Sequence, residues 1–354
     1  MRSHPFFGFL ARRLLYALLS LLVVTMILYA GAMLVPPEGR AQLYIPETRG
    51  TVTDAYIRAI IRQHHLQEPY LVQYGHWMRE LFDGTWGYSP TLREEVLPAL
   101  LRRTPVTLEL GLYSLLAFIP LGLWSGLIAG WEPGRPFDKF FRLTAFMGTA
   151  MPPFILGILL LAILYARFSL FPPGRIDMML ALELQRTGFH NYTGMMTVDA
   201  LLNGRVDVFG NALKHLLLPV ITLSLFHWAT LGRVSRTMMM EERRKDYLLA
   251  ARARGVTETT LIWRHALPTI MAPSLTGIAL SAASIVTGVY VVEAIFLFNG
   301  ISGVIIAAMS YQPDAPAVLG FSVYSVIIVV GLMLLLDILQ ALVDPRVRAE
   351  TLTP

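Results

Sequence analysis

Six stretches of this chain run for about the 20 residues that cross a hydrocarbon core, and none of them contains Asp, Glu, Lys or Arg. They are Leu14 to Leu34, Leu110 to Ala129, Leu143 to Ala166, Leu216 to Gly232, a stretch within Ala266 to Val292, and Ala315 to Leu336. Apolar runs this long are not strands of a transmembrane barrel, which alternate with period two. Composition points the same way. Charged residues are 15% of the 354 and hydrophobic residues 55%, against about 25% charged in soluble domains. A disordered chain needs more charge and less apolar surface. A soluble enzyme of this length would expose apolar patches that aggregate. The expected fold is therefore an all-α polytopic membrane protein with six transmembrane helices.

The spans carry breaks. Pro120, Gly122 and Gly126 lie in the second, Pro152 and Pro153 in the third, Pro219 and His227 in the fourth. The fifth is expected to start near Pro273, because proline suits a first helical turn. The first run follows Arg12-Arg13 and contains Ala30-Gly31-Ala32, which resembles a cleavage site. It is longer than the 7–15 residues of a typical signal core and is read as a retained span. The chain has no cysteine, so disulfides, thiol catalysis and cysteine metal sites are excluded.

Net charge is +5, and its placement orients the chain. With the N-terminus in the cytoplasm, 16 Lys and Arg fall on inner segments, eight of them between Arg233 and Arg264. The outer loop Leu297 to Asp314 has none. Cytoplasmic loops collect such residues, so both termini are expected inside. The basic balance thus needs no nucleic-acid partner. The expected organisation is residues 1–34 for the N-terminus and first span, 35–106 for an outer segment, 107–341 for a core of five spans, and 342–354 for a cytoplasmic tail. Two outer segments follow spans one and three. Val35 to Val106 includes Ile57, Ile60 and Ile61 at amphipathic-helix spacing. Residues 167–214 are punctuated by Pro172-Pro173-Gly174. Together they are read as a small cap.

The inner loop, about residues 233–268, is the most informative segment. Tyr247 to Arg254 is good helix-forming sequence, and Gly255 fits the left-handed position that closes a helix. A second helical turn is expected from about Thr257 to His265, broken by Leu267-Pro268 at the membrane edge. Ala250, Ala251 and Ala253 keep the surface low enough for another backbone to approach, and Arg252 and Arg254 are suited to carboxylates on such a partner. The other reading of the same residues is a basic helix lying on anionic headgroups.

The segment resembles the cytoplasmic coupling motif of ABC importer permeases: Glu-Ala-Ala, three residues, Gly, nine residues, then Ile-x-Leu-Pro. The matching positions are Leu249, Ala250 and Ala251, then Gly255, then His265, Ala266, Leu267 and Pro268. The motif's Glu is Leu249 here and its Ile is His265. The Tyr-x-x-x-Ala-Arg-Ala-Arg-Gly form is similar to the variant in dipeptide, oligopeptide and nickel permeases. Other stretches resemble the same subfamily: Arg12-Arg13-Leu14-Leu15, Phe82 to Ser89, Arg103 to Leu110, His215 to Pro219, Val292 to Phe296 and Leu342 to Arg346. The resemblance covers about residues 10 to 348.

The resemblance implies a permease subunit of an ATP-driven importer in the plasma (inner) membrane of a prokaryote, with peptides as cargo. Nickel chelates, oligosaccharides or another solute are the alternative cargoes. It implies four kinds of partner: a second homologous permease, two cytoplasmic ATP-binding subunits, an outer substrate-binding protein and membrane lipid. ATP and magnesium would sit in the ATPases, coupled through Ala250 to Gly255 with Leu267 and Pro268. This chain has no Gly-x-x-x-x-Gly-Lys-Ser/Thr loop for phosphates, so it is expected to bind no nucleotide or other cofactor itself and not to be an enzyme. A secondary transporter would show inverted repeats and buried coupling charges near the midplane; an intramembrane enzyme would show a catalytic constellation at depth. Neither is visible.

Glu109, Glu293 and Asp337 are expected near span ends, close to water, with Glu109 in an N-terminal turn. Each is either a gating or substrate contact or an end-capping group. His227 is either a path residue or a packing histidine. His64, His65 and His76 lie close in sequence, but with no i,i+4 pair among them no metal site is expected. Met238-Met239-Met240 is read as a helix face.

Overall fold

The structure is a computed structural model that describes residues 5–41, 44, 53–310 and 314–343. The tail from residue 344 onward, with Arg346, Arg348 and most of the closing motif, lies outside the described residues.

The chain opens with α1 (Pro5–Ala32), then α2 (Pro37–Ala41), α3 (Asp54–Gln63) and α4 (Tyr70–Phe82). A two-residue hairpin follows, β1 (Tyr88–Ser89) antiparallel to β2 (Glu94–Glu95), with Tyr88 opposite Glu95. Next come α5 (Val96–Trp131), α6 (Pro136–Ala150) and α7 (Pro153–Leu160), the last continued by a π-helical stretch, Leu161–Arg167. Two short helices, α8 (Met178–Arg186) and α9 (Met196–Leu202), precede the long α10 (Val206–Glu242). Then come α11 (Asp246–Ala253), a single turn α12 (Glu258–Thr260), a π-helical turn Leu261–Ala266, α13 (Leu267–Phe296), α14 (Ser302–Ser310) and α15 (Ala315–Val343).

Among the described residues five helices are long and apolar enough to cross a membrane, in α1, α5, α10, α13 and α15. A sixth span exists if α6 and α7 with its π-helical continuation count as one. That pair corrects the expectation of an unbroken third span from Leu143 to Ala166. The helices bend by 102° between Ala150 and Pro153. Two prolines explain the break. A residue before proline is pushed out of the helical region, and Met151 (φ −103°, ψ 120°) and Pro152 (φ −57°, ψ 138°) are both extended.

Two other boundaries move. Helix α5 begins at Val96, inside the stretch read as an outer segment, and carries Pro105 within it. Helix α10 begins at Val206 and runs through Pro219. Helix α13 begins at Leu267, so Leu267-Pro268 does not break the chain, while the apolar span inside it runs from Pro273 to Phe296, starting where it is expected. The π-helical turn Leu261–Ala266 lies just before Pro268. Such a turn changes which carbonyls are paired, which suits a position where proline has no N–H to give.

The chain forms two compact units, Met1–Pro105 with Asn299–Leu335, and Val106–Phe298 with Leu336–Pro354. The two segments read as one cap therefore belong to different units. In the first unit, α3 buries Ile60 and Ile61 with Ala41 and Leu66, as the amphipathic spacing predicts. Buried Arg40 ties that layer together: Nη1 donates to Gln73 Oε1 at 2.5 Å and Nη2 to Leu66 O at 2.8 Å. The Phe82 to Ser89 motif proves to be a joint. Buried Asp314 accepts from Ser89 Oγ at 2.5 Å, Thr91 N at 3.2 Å and Ala317 N at 3.1 Å, fixing the hairpin to the start of α15.

In the second unit the main core joins Leu110 and Phe118 of α5, Leu216, Leu223 and Leu231 of α10, and Ile285, Val289 and Phe296 of α13. Helices α5 and α10 pack at backbone distance. A Cβ on Gly126 would sit 2.9 Å from Ser235 Cβ, and one on Gly130 2.8 Å from Met239 Cβ. With Gly122 these glycines recur every fourth residue, a small-residue stripe that lets membrane helices approach closely.

Candidate functional site: the 243–268 loop and the buried charges

Helix α11 ends by a Schellman closure. Val256 N donates to Ala251 O at 3.2 Å and Gly255 N to Arg252 O at 2.9 Å, pairing carbonyls that would otherwise be orphaned. The turn requires φ +82° at Gly255, a conformation costly for residues with a Cβ. The expected cap is there, and space is not the reason: a Cβ at Gly255 would meet nothing within 4 Å.

The loop is seated by apolar packing. Leu248 and Ala251 of α11 join Leu261, Ile262, Ala266 and Ile270 with Leu127 and Trp131 of α5 and Met239 of α10. Ala251 is thus on the inner face of α11, which corrects its expected place on the low outer surface. The outer face consists of Leu249, Ala250, Ala253 and Arg254, all exposed. Leu267 is half-buried and Pro268 exposed at the start of α13.

Arg252 is already used inside the chain. Its Nε donates to Glu258 Oε1 at 2.7 Å and its Nη2 to Oε2 at 2.9 Å. Its guanidinium lies 5.3 Å from the Trp131 ring centre, and Trp131 Nε1 donates to Glu258 Oε2 at 3.0 Å. The Arg252 bond holds the Glu258 carboxyl below the usual carboxylate range, and Glu258 raises Arg252 in return. The expected partner of Arg252 on another protein is replaced by a carboxylate six residues away. Sequence reasoning missed Trp131 and Glu258, although Arg252 and Glu258 are close enough in sequence to have suggested a local pair. Tyr247 supports the other flank by donating to Glu242 Oε1 at 2.7 Å.

Glu109 is not in an N-terminal turn. It sits 13 residues into α5, 2% exposed. It accepts from Arg175 Nη2 at 2.9 Å and from Thr197 N and Oγ1 at 2.7 Å each. Its role in this geometry is to anchor the 167–214 segment to α5. A second anchor lies beside it. Buried His215 contacts Gly174 O through Nδ1 at 3.1 Å and Asp177 Oδ1 through Nε2 at 3.2 Å. Asp177 also accepts a bond from Asn211 Nδ2. These bonds, Asn211 first and His215 second, hold the Asp177 carboxyl below its ordinary range against the opposing effect of burial. Asp177 and Arg175 carry no sequence signal; they are recognisable only once the segment folds back on α5 and α10.

His227 is buried against Phe118 and Phe226, with ring centres 5.6 and 5.4 Å away, and Nε2 lies 3.4 Å from Ser284 Oγ. That is a packing environment. Glu293 is also buried, at 1% exposure, in the last turn of α13, the span-end position expected of it. Among the described residues no group of three or more His, Asp or Glu is placed to hold a metal. His64 pairs with Glu80 at 3.1 Å and His65 stacks on His76 at 4.3 Å.

Comparison with known proteins accounts for this architecture. Residues 119–349 match the family described as binding-protein-dependent transport system inner membrane component. A di/tripeptide transport system permease protein of Pseudomonas aeruginosa is 31% identical over 97% of this chain and 99% of its own length. The dipeptide transport system permease protein DppB of Escherichia coli is 28% identical over 96% and 98%. The oligopeptide transport system permease protein AppB of Bacillus subtilis is 27% identical over 96% and 99%. Such permeases work with an ATPase and a substrate-binding protein. This chain is a multi-pass inner-membrane protein, and it belongs to the family of binding-protein-dependent transport permeases of ABC importers.

Proposed function

We propose that the chain forms half of a peptide translocation path, completed by a second, homologous permease, and that two ATPase subunits drive it through α11. Di- and oligopeptides are the cargo suggested by the names of the relatives. Both termini would be cytoplasmic, with the 35–106 and 167–214 segments outside and available to a substrate-binding protein. ATP and magnesium would be held by the ATPases.

One observation carries the reading. Helix α11 is short, stands outside the spans, buries one face on the ends of α5, α10 and α13, and leaves Ala250, Ala253 and Arg254 exposed. A rigidly seated helix with a low outer face is suited to pass a partner's displacement to the bundle, because packed contacts switch between discrete arrangements. The ATPases would bias two states of the bundle by contacting them differently.

The chain contains no cysteine, so a single Ala253→Cys gives an unambiguous probe. In the assembled importer it should crosslink to an ATPase subunit, with a yield that changes on adding ATP. An intact, transporting complex with no crosslink from positions 249, 250, 253 or 254 would overturn the docking assignment. Uptake of labelled dipeptide, competed by unlabelled oligopeptide, tests the cargo separately.

A further inference from the structure

An open pocket of about 350 Å³ lies on one flank of α11, lined by Trp131, Arg243, Arg244, Leu249 and Arg252. It adjoins the outer face of α11 at Leu249, which belongs to both, and extends away from Ala250 and Ala253 toward the ends of α5 and α10. Trp131 is the last residue of α5, and Arg243 and Arg244 are the first two residues beyond α10. The pocket therefore sits where two spans end. Tryptophan and arginine at that depth are characteristic of the headgroup layer, and basic pockets between span ends take anionic lipid headgroups.

The charges leave room for an anion. Arg252 is paired with Glu258. Arg243 Nη1 donates to Trp131 O at 2.6 Å, which neutralises no charge and holds the two helix ends together. Arg244 has no ion-pair partner among the described residues. Glu242, the last residue of α10, is occupied by Lys245 at 2.6 Å and by Tyr247. The pocket thus presents three guanidiniums against one carboxylate, beside the apolar walls of Leu249 and Trp131. We infer that it binds the phosphate of an anionic phospholipid, with Arg243 and Arg244 on the phosphate oxygens and Leu249 against the glycerol end. The lipid would bridge the ends of α5, α10 and α11 and stiffen the seat of α11. An acidic segment of an ATPase is the competing occupant. The span-end position of Trp131, Arg243 and Arg244 favours the lipid.

The test uses the whole importer complex in mild detergent, with phosphatidylglycerol and phosphatidylcholine added as probes and bound lipid read by native mass spectrometry. Arg244→Gln should reduce retained phosphatidylglycerol about fivefold, the factor corresponding to about 1 kcal/mol per membrane-proximal arginine. Arg186→Gln, the same charge change in α8, should retain it fully. Equal retention in wild type and Arg244→Gln overturns the proposal, as does phosphatidylcholine retained as strongly as phosphatidylglycerol. Loss of ATPase subunits from Arg244→Gln with lipid unchanged assigns the pocket to the ATPase and overturns the lipid site. Lipid and ATPase are read as separate masses, so failure of this site and failure of docking through α11 are distinguishable.

Discussion

Helix α5 carries an anchor at each of two places 22 residues apart, and the two are built on opposite principles. Glu109 holds the 167–214 segment through a buried carboxylate with three short hydrogen bonds, one of them an ion pair. Trp131 holds the 243–266 loop through an apolar cluster, with the Arg252–Glu258 pair exposed at its edge. About 33 Å of helix separates them at 1.5 Å per residue, close to the thickness of a hydrocarbon core. The Glu109 anchor fixes one geometry, because a buried charge tolerates no loss of partner. The Trp131 anchor can shift, because apolar contacts are less directional. A fixed segment at one end and an adjustable seat at the other are what a subunit needs if force enters at α11.

Breaking the Glu109 anchor should have the largest effect. Glu109→Ala leaves the Thr197 N–H without its acceptor and the Arg175 guanidinium with Gly194 O but no counter-charge, and removing one partner of a buried pair costs up to about 3–5 kcal/mol, less here because Arg175 is part-exposed. The purified complex should show a lowered thermal midpoint and fast proteolysis within residues 167–214. Glu109→Gln keeps an acceptor for Thr197 and should lose less. Wild-type protease resistance in both variants would show that the segment is held by its own core of Leu184, Ala200 and Val208.

The next effect belongs to the loop. Gly255→Val places a β-branched residue at φ +82°, where any Cβ costs about 1–2 kcal/mol. No neighbour lies within 4 Å, so the chain should still insert and assemble. The Schellman turn would open, and substrate-stimulated ATP hydrolysis should uncouple from uptake. Wild-type uptake would mean that α11 does not need this closure to transmit.

These two anchors were not equally legible. Gly255 announces itself, because a glycine after a run of helix formers predicts a left-handed closure from local chemistry alone. The spans are legible for a similar reason: hydropathy is summed over residues adjacent in sequence. The break at Pro152-Pro153 was visible as residues but not as an angle, since the bend depends on what the two halves pack against. The sequence places Glu109 near a span end but cannot show what holds it, because its partners, Arg175 and Thr197, lie 66 and 88 residues away. Arg252 failed for another reason. Its charge looked available to a partner, and only the fold shows Glu258 and Trp131 occupying it.

Acidification should separate the regions further. The Asp177 carboxyl lies below its ordinary 3.8 when folded, so its contribution is present above that value and fades as pH falls through the folded one. Residues 174–177 should therefore gain hydrogen exchange only below about pH 4, a window set by the ordinary carboxylate value. Asp177→Asn should flatten that dependence. His215 is the other titratable group facing this carboxylate, with Lys214 the nearby fixed charge. An unchanged profile in Asp177→Asn would show that this carboxylate does not set the acid response.

The smallest effect is expected where the charges are most conspicuous. Arg252 and Glu258 form a bidentate pair, but their side chains are 41% and 54% exposed. Exposed pairs contribute roughly 0.2–1 kcal/mol and are screened by salt. Glu258→Gln should lower the thermal midpoint slightly at low ionic strength and not measurably at high. Trp131 keeps its place in the apolar cluster in either case, because Leu248, Ile262 and Met239 pack it independently of the pair. A large, salt-independent loss in Glu258→Gln would mean that the hydrogen bond from Trp131 Nε1, and not the apolar seat, holds α11. The two anchors of α5 would then be of one kind.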